Sequence, residues 1–215
     1  MNMRILAILF IVLHFASPFF AQDATRVLDN AVKKIKSDEK ISMELELVVY
    51  DIDGSVAYTD KGSLFIDNSV ATKKERFALF LNRMKVWCNG KKQWNYMPQT
   101  NEIYITEADS QEAQMFSPVY IMQLYKQNYK SSIKRDGKYD VVTLVPNNED
   151  EDYEDIVVYL DANTSLLDRI ELSMGQGGSA RIVVKNYKTG CDFDKSQFVC
   201  PVEHFPNAEI VDMMP

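Results

Sequence analysis

The chain is poor in the side chains on which most enzyme and metal sites depend. It contains two histidines. His14 lies in an apolar N-terminal run, and His204 follows Glu203 without a nucleophile motif or a second metal ligand nearby. The three cysteines, Cys88, Cys191 and Cys200, form no Cys-x-x-Cys pair that would indicate a redox site. We therefore expect no enzymatic activity, no metal and no cofactor.

An odd number of cysteines leaves at least one thiol free or in an intermolecular bond. Cys191 and Cys200 bracket a short loop, so a disulfide between them and two free thiols are both consistent with the sequence. Cys88 lies within a predicted strand, where a buried small apolar side chain is the simpler reading.

The first 21 residues have the order of features typical of a secretory signal. Arg4 precedes the apolar run from Ile5 to Phe15, and the small residue Ala21 comes just before Gln22. The apolar run is too short for a stable membrane span, although a retained N-terminal anchor is the alternative. We predict a signal peptide over residues 1–21 and a single exported, soluble domain over 22–215, without a lipidation cysteine near the cut.

Basic charge is also scarce. The formal net charge is −7, and removing residues 1–21 takes away only Arg4, leaving −8. Such a surface disfavours a nucleic acid partner. The chain has no internal repeat and no Pro- or Ser-rich linker, so one domain is expected. The acidic run over 147–152 is interpreted as a solvated loop, with a calcium site as the less favoured alternative because its ligand spacing fits no known pattern.

Short alternating segments predict an antiparallel sheet. In KVWCNGKKQWNYMPQTNEIYIT, residues 85–106, Asn89-Gly90 indicates a two-residue hairpin with positive φ at both positions, and Pro98 to Asn101 indicates a second reversal. The predicted strands are 41–49, one ending at 64–66, 76–81, 86–87, 94–97, 103–105, 139–145, 156–160, 166–174, 180–187 and 198–200. The sheet has one apolar face and must curl or be covered.

Helical spacing in two places supplies that cover. Val27, Leu28, Ala31, Val32 and Ile35 recur every three or four residues after a cap at Asp23 or Thr25. Between 108 and 130 the strand alternation stops, Asp109 or Ser110 can cap, and Pro118 breaks the stretch or starts a second helix. We predict a curved sheet with a helical lid, while composition leaves open whether the interior is a filled core or a cavity.

Several segments together resemble the LolA-type periplasmic lipoprotein carriers. Lys61 to Ile66 is similar to the family's Gly-x-Leu-aromatic strand, and Asn89 to Pro98 resembles its hairpin. Ser117-Pro118 with Leu124-Tyr125 is similar to the lid segment, 139–146 to a strand ending in proline, and 198–212 to the C-terminal end. The resemblance covers 22–212.

This resemblance implies a mainly β (α+β) fold, an unclosed antiparallel β-barrel of about ten strands with a helical lid over a hydrophobic cavity. It implies a periplasmic carrier that shields lipoprotein acyl chains and ferries lipoproteins from the inner to the outer membrane. The implied partners are acylated lipoproteins or other lipid cargo, an inner-membrane release complex and a transient outer-membrane contact, and we expect a monomer. Asp67-Asn68 stands where the studied members carry a lid-fastening arginine, so that role is not transferred.

Strand parity and the lid pattern predict which side chains line the acyl-chain cavity. They are Met43, Leu45, Leu47, Leu64, Ile66, Phe77, Leu79, Trp94, Tyr96, Met115, Phe116, Val119 and Met122. Two alternative functions remain on the same fold: a periplasmic lipid-binding sensor, whose lipid would change its affinity for a partner protein, and an interaction module with a filled interior.

Overall fold

The described part of the protein is one twelve-stranded sheet with one long helix and two short ones on one face. The structure, a computed structural model, describes residues 17–69, 75–114, 116–148, 153–175 and 177–214. The predicted signal segment up to residue 16, Met115 and residues 149–152 of the acidic run therefore lie outside the described residues.

The chain opens with helix α1, Ser17–Ser37, and then enters the strands. These are β1 Lys40–Tyr50, β2 Val56–Asp67, β3 Arg76–Phe80, β4 Lys85–Cys88, β5 Lys92–Met97, β6 Glu102–Glu107, β7 Tyr129–Asp136, β8 Tyr139–Pro146, β9 Tyr153–Asp161, β10 Leu167–Met174, β11 Ser179–Thr189 and β12 Glu209–Asp212. Helices α2, Gln111–Gln114, and α3, Pro118–Ile121, with a 3₁₀ turn at Leu124–Lys126, lie between β6 and β7.

The strand order across the sheet is β12-β6-β5-β4-β3-β2-β1-β11-β10-β9-β8-β7. Neighbours pair antiparallel, except that β12 pairs with β6 in parallel. The two end strands, β7 and β12, do not pair with each other, so the sheet curves without closing. The predicted unclosed antiparallel half-barrel is confirmed, with twelve strands in place of about ten.

Turn chemistry explains several of the reversals. Asn101 has φ 55°, as expected of asparagine in a left-handed position, and Gly54 has φ 80°. At the β4–β5 hairpin the prediction is partly wrong: Gly90 has φ 86°, while Asn89 stays outside the positive-φ region. Asn89 instead accepts hydrogen bonds at its side-chain oxygen from the backbone N–H groups of Lys91 and Lys92, each at 2.9 Å. The side chain closes the turn that positive φ was expected to close.

Two hydrophobic clusters lie on opposite faces of the sheet. The larger one, on the face that we call the inner face, contains Met43, Leu64 and Phe77 together with residues of α1 and α3. The smaller one, on the outer face, joins Trp87 and Trp94 to the C-terminal segment through Phe198 and neighbouring side chains. Helices thus cover the inner face, and the C-terminal segment covers part of the outer face.

The C-terminal segment differs from its prediction. A strand was expected at 198–200, but Lys195–Phe198 forms a 3₁₀ turn whose Phe198 is fully buried against the outer face. The last strand is β12, which begins at Glu209, eleven residues after Phe198. Of the two alternatives for Cys191 and Cys200, the structure has two free thiols and no disulfide between them. Burial raises the pKa of the Cys200 thiol to about 11.

Candidate functional site

The inner face brings together most of the side chains predicted to line a cavity. Eight of them are buried in the inner cluster, namely Met43, Leu45, Leu64, Ile66, Phe77, Leu79, Val119 and Met122. Leu47 and Phe116 are half-buried and pack against the same cluster. Register explains the grouping on the strands, because Met43 lies opposite Leu64, and Leu64 opposite Leu79. Side chains directly opposite each other on paired strands share a face.

Trp94 and Tyr96 lie on the other face, which corrects their assignment to the cavity. Trp94 pairs with Trp87 and belongs to the outer cluster, and Tyr96 packs against that cluster. The ring centroid of Tyr96 lies 4.3 Å from that of Phe205 in the C-terminal segment. Both aromatic residues are covered by this segment, which the parity argument did not take into account. Met115 lies outside the described residues.

The predicted cavity lining left out two groups of inner-face residues, although the apolar face of the first helix had been assigned to the cover. Helix α1 contributes Ala24, Leu28, Ala31, Val32 and Ile35. The second half of the sheet contributes Val142, Leu144, Ile156, Val158, Leu160, Ile170 and Leu172. The sequence could have indicated the second group. Val142 and Leu144 occupy alternate positions on β8, and Ile156, Val158 and Leu160 occupy alternate positions on β9. The inner face therefore forms one apolar surface across the sheet.

We call α1, α2, α3 and the 3₁₀ turn at Leu124–Lys126 the helical cover. Its second half consists of four-residue helices and a single turn. Helices this short are not stable by themselves, so they depend on packing against the sheet. Ser117 caps α3 by accepting a hydrogen bond from the N–H of Tyr120 at 3.1 Å, and Pro118 opens the helix as predicted.

The C-terminal end of α1 is fastened to the sheet by Asn68. Its side-chain amide donates hydrogen bonds to the carbonyls of Ile35 and Asp38, each at 2.9 Å. These carbonyls belong to the group that a helix end leaves without an intrahelical partner. Asp67-Asn68 is the stretch in which the carriers that the sequence resembles have an arginine that fastens the lid. In this chain the side-chain amide of Asn68 makes a contact between the sheet and the cover at this place.

Tyr187 on β11 strengthens the same end of α1. Its hydroxyl donates to Asp38 Oδ2 at 2.9 Å, and Lys34 pairs with the same oxygen at 2.7 Å. Burial, together with the neighbouring carboxylate, raises the pKa of Tyr187. The hydroxyl therefore stays protonated and remains a donor at neutral pH.

A second fastening joins the two parts of the helical cover. The hydroxyl of Tyr125 donates to Asp29 Oδ1 on α1 at 2.6 Å, and Lys126 Nζ lies 3.0 Å from the same oxygen. The hydrogen bond from Tyr125 lowers the pKa of Asp29, with Lys126 acting in the same direction. The side chains of Asp29 and Lys126 are 49% and 48% exposed, so we expect their ion pair to open more easily than the contact at Asn68.

A third contact holds α3 to the sheet. Ser117, which is buried, donates its hydroxyl hydrogen to Glu75 Oε2 just before β3. Burial raises the pKa of the Glu75 carboxyl, while the Ser117 hydrogen bond and Lys36 oppose that change. The helical cover is thus tied to the sheet by side-chain contacts at its ends.

One open cavity lies beside the N-terminal half of α1, with a volume of about 380 Å³. Val27, Ile133 and Leu160 contribute apolar lining, and charged groups of both signs surround them, among them Arg26 and Asp140. Leu160 belongs to the inner cluster and Val27 and Ile133 pack against it, so this cavity adjoins the edge of the apolar interior beneath the helical cover.

The described residues contain no group of three or more His, Cys, Asp or Glu side chains placed to hold a metal ion. His204 is exposed in a 3₁₀ turn near the C-terminus. Within the described ranges no helix has both the length and the apolar character to cross a membrane. What the site offers is a large apolar surface under a cover with polar fastenings.

The match to known families fits this architecture. Residues 21–176 match the family described as "Outer membrane lipoprotein carrier protein LolA". The chain belongs to the LolA family. The family is described as one of lipoprotein carriers, which supports a binding or carrier role for this chain. No curated protein matches the chain.

The solved structure of MucB shows the same fold at low sequence identity, and two further structures are similar to the chain at lower scores. MucB has a TM-score of 0.50 and 16% identity, with 88% of this chain and 66% of MucB covered. A putative outer membrane lipoprotein-sorting protein domain from Vibrio parahaemolyticus has a TM-score of 0.45 and 12% identity, covering 85% of this chain and 99% of that one. The Pseudomonas aeruginosa MucA/MucB complex has a TM-score of 0.43 and 14% identity, with 84% of this chain and 62% of the matched chain in that complex covered.

Proposed function

We propose that this LolA-family chain is a periplasmic carrier that shields the acyl chains of lipoproteins beneath its helical cover and ferries them from the inner to the outer membrane. The observation that carries the proposal is the continuous apolar inner face, closed by short helices whose fastenings are side-chain hydrogen bonds. When the cover lifts, this face becomes available to another apolar group. The proposed cavity lining is the inner-face set that starts with Met43, Leu45 and Leu64.

The free energy of moving an acyl chain out of a bilayer explains why a carrier needs an apolar inner face. Each buried CH₂ is worth about 0.8 kcal/mol, so an acyl chain of 16 carbons loses on the order of 12 kcal/mol of favourable burial on leaving a bilayer for water. A carrier has to replace that burial. Met43 and Met122 suit the task because flexible thioether side chains adapt to a variable chain. The acidic exterior and the proposed removal of residues 1–21 fit a soluble, exported and unlipidated protein.

Delivery also requires release. A cover held by a few hydrogen bonds and packing can close over an acyl chain and open again at a membrane or a partner protein. We propose loading from an inner-membrane release complex and a transient contact with the outer membrane. A monomer is sufficient, because the cover and the sheet belong to the same chain.

The test is binding of a triacylated lipopeptide to the purified chain over residues 22–215, with the same peptide without acyl chains as the control. We expect saturable binding that needs the acyl chains. If neither form binds, the interior is a permanently filled core and the carrier proposal is wrong.

A matched pair of variants locates the binding surface. Leu45→Glu places a carboxylate on the inner face, where the side chain is 8% exposed, and we expect acyl binding to be lost. Val145→Glu places the same group on the outer face, where the side chain is 44% exposed, and binding should persist. Retained binding in a folded Leu45→Glu variant would exclude the inner face as the site.

A further inference from the structure

The apolar inner face contains a polar pair that the carrier proposal does not explain. Gln93 on β5 and Thr106 on β6 lie directly opposite each other. They point to the inner face, because Gln93 also pairs with Cys88 of the inner cluster while the adjacent Trp94 points outward. Gln93 is 0% exposed and Thr106 is 6% exposed. Two polar side chains are thus fully enclosed at one end of an apolar surface.

These side chains carry oxygens without partners. Within the part of the chain that the structure describes, Gln93 Oε1, Thr106 Oγ1 and Glu75 Oε1 are buried and have no hydrogen-bond partner. The amide nitrogen of Gln93 donates to Asn95 Oδ1 at 3.0 Å, which leaves its oxygen as the free end. Buried polar atoms are nearly always hydrogen-bonded, so neighbouring orphan acceptors on one face call for a donor from outside the chain.

The polar pair borders the part of the helical cover that contacts Glu75. The thiol of Cys88 donates to the carbonyl of Glu75 at 3.6 Å, and Ser117, the cap of α3, donates to the Glu75 carboxylate. Gln93 is the cross-strand neighbour of Cys88. A ligand that enters beneath α3 therefore meets the apolar inner face and the polar pair together.

All three unpartnered atoms on the described part of this face are oxygens, so a ligand group that binds there has to donate hydrogen bonds. The amide and carboxylate oxygens accept hydrogen bonds, and the Thr106 hydroxyl can accept as well. An ester-linked lipid offers only acceptors near its acyl chains. A lipid with an amide N–H or an ammonium group beside its acyl chains offers donors. The pair thus distinguishes two classes of acyl compound that an apolar surface alone treats alike.

We propose that Gln93 and Thr106, with Glu75 beside them, form a recognition site for an N–H donor next to the acyl chains of the cargo. This inference rests on the proposed carrier function and deepens it. The donor is either the amide of an N-acyl chain or a free N-terminal ammonium group. Acylated lipoproteins carry such a group and ester-linked phospholipids without an amine, such as phosphatidylglycerol, do not, so the site favours lipoproteins over those lipids.

The first test varies the ligand and leaves the protein unchanged. Binding of a triacylated lipopeptide to the chain over 22–215 is compared with binding of its analogue methylated at the N-acyl amide, and with phosphatidylglycerol. We expect the amide N–H form to bind about tenfold more tightly, the effect of one buried hydrogen bond. Equal binding of the two lipopeptides would overturn the recognition site while leaving the carrier function intact. Binding of none of the acyl compounds would overturn both.

A diacylated lipopeptide with a free amine identifies the source of the donor. Each form is compared with its own methylated analogue, so that the number of acyl chains stays fixed. If trimethylation of the free amine weakens the diacylated form more than amide methylation weakens the triacylated form, the ammonium group is the preferred donor, and the reverse order assigns the amide. Binding of both forms that is insensitive to N-methylation would mean that ordered water alone satisfies these oxygens, and it would overturn the proposal.

The second test removes the acceptors. Gln93→Leu combined with Thr106→Val keeps the side-chain shapes and deletes the orphan oxygens. We expect the preference for the N–H form to fall from about tenfold to about one, with binding of the methylated analogue unchanged. Thr143→Val on β8, whose side chain points to the outer face, is the matched control and should keep the preference. If the double variant retains the full preference, the polar pair does not recognise the donor. If it fails to fold, the comparison of ligands on the unchanged protein decides.

Discussion

The fastening of α1 by Asn68 gives a quantitative prediction about the opening of the helical cover. Asn68→Ala removes the two amide hydrogen bonds to the carbonyls of Ile35 and Asp38 and keeps the backbone bond from the Asn68 N–H to the Glu39 carbonyl at 2.7 Å. Each lost bond contributes about 0.5–1.5 kcal/mol, so the closed position of α1 should lose about 1–3 kcal/mol. The population with α1 detached then rises roughly 5- to 150-fold.

Native-state hydrogen exchange measures that population directly. In the Asn68→Ala variant we expect the amides of the C-terminal half of α1, residues 28–37, to exchange faster by that factor. Amides of β9 and β10, which make no hydrogen bond to α1 in the described structure, should change much less. The association rate of a triacylated lipopeptide should increase in parallel if cargo enters beneath α1.

Asn163→Ala is the control for this experiment, because Asn163 lies exposed in the turn between β9 and β10. It should leave exchange in α1 and the association rate unchanged. Two results would refute the reasoning: unchanged exchange in α1 of the Asn68→Ala variant, or an equal acceleration in all strands. The first would mean that the amide does not fasten the cover, and the second that α1 never opens separately from the sheet.

Three further predictions concern the sheet and its thiols. Gly62→Ala should destabilise the protein by about 3 kcal/mol or more in chemical denaturation, because its Cβ would lie 1.8 Å from the Phe80 carbonyl oxygen; a loss below 1 kcal/mol would contradict this packing. Burial acts to raise the pKa of Asp60, but N–H donors from Arg83, Asn82 and Lys61 outweigh it and lower the pKa overall. Stability from Asp60 is therefore complete above its unfolded pKa of about 3.9 and lost as the pH falls through the lower folded pKa. Asp60→Asn should flatten the acid limb of a stability–pH curve, and an unchanged limb would exclude this role. A maleimide at neutral pH should label Cys191 before Cys200, since Cys200 is 4% exposed and burial raises its pKa to about 11; mass spectrometry showing the reverse order would refute the burial of Cys200.

Local patterns in the sequence predicted the central strands well. Residues 85–106 form three antiparallel strands joined by two turns, and Asn101 takes the left-handed conformation expected of it. Pro118 starts α3 with Ser117 as its cap. These features depend on residues close together in the chain, so a single sequence contains the information that determines them.

The elements that were missed depend on distant partners. Strand β7 was not predicted: its first two residues fell within the lid region over 108–130, and the rest was assigned no element. In YKSSIKRD only Tyr129 and Ile133 are large and apolar on the inward-facing positions. Strand β12 pairs in parallel with β6, a contact between segments about a hundred residues apart that no local signal reveals. Phe198 was expected in a strand because aromatic residues favour strands, but it packs from a 3₁₀ turn.

In the candidate site, too, local sequence patterns predicted some residues correctly and failed where distant segments of the chain decide the packing. Parity placed Met43, Leu64 and Phe77 on one face, and they pack together in the inner cluster. The same rule failed for Trp94 and Tyr96, because the C-terminal segment makes the outer face of β4–β6 as buried as the inner one. When both faces are covered, an apolar residue no longer indicates which face is the interior. The fastening by Asn68 was invisible for a similar reason, since its partners lie 33 and 30 residues away on α1.

The central claim is that acyl chains enter beneath the helical cover when α1 separates from the second half of that cover, and a reversible lock between the two parts tests it most directly. Cysteines at positions 29 and 125, whose present side chains meet at 2.6 Å, can be joined by a short cleavable bismaleimide in a Cys191→Ser background. The account predicts that the cross-linked protein does not bind a triacylated lipopeptide and that cleaving the linker restores binding. Equal binding by the locked and the cleaved protein, or binding by neither, would contradict the account.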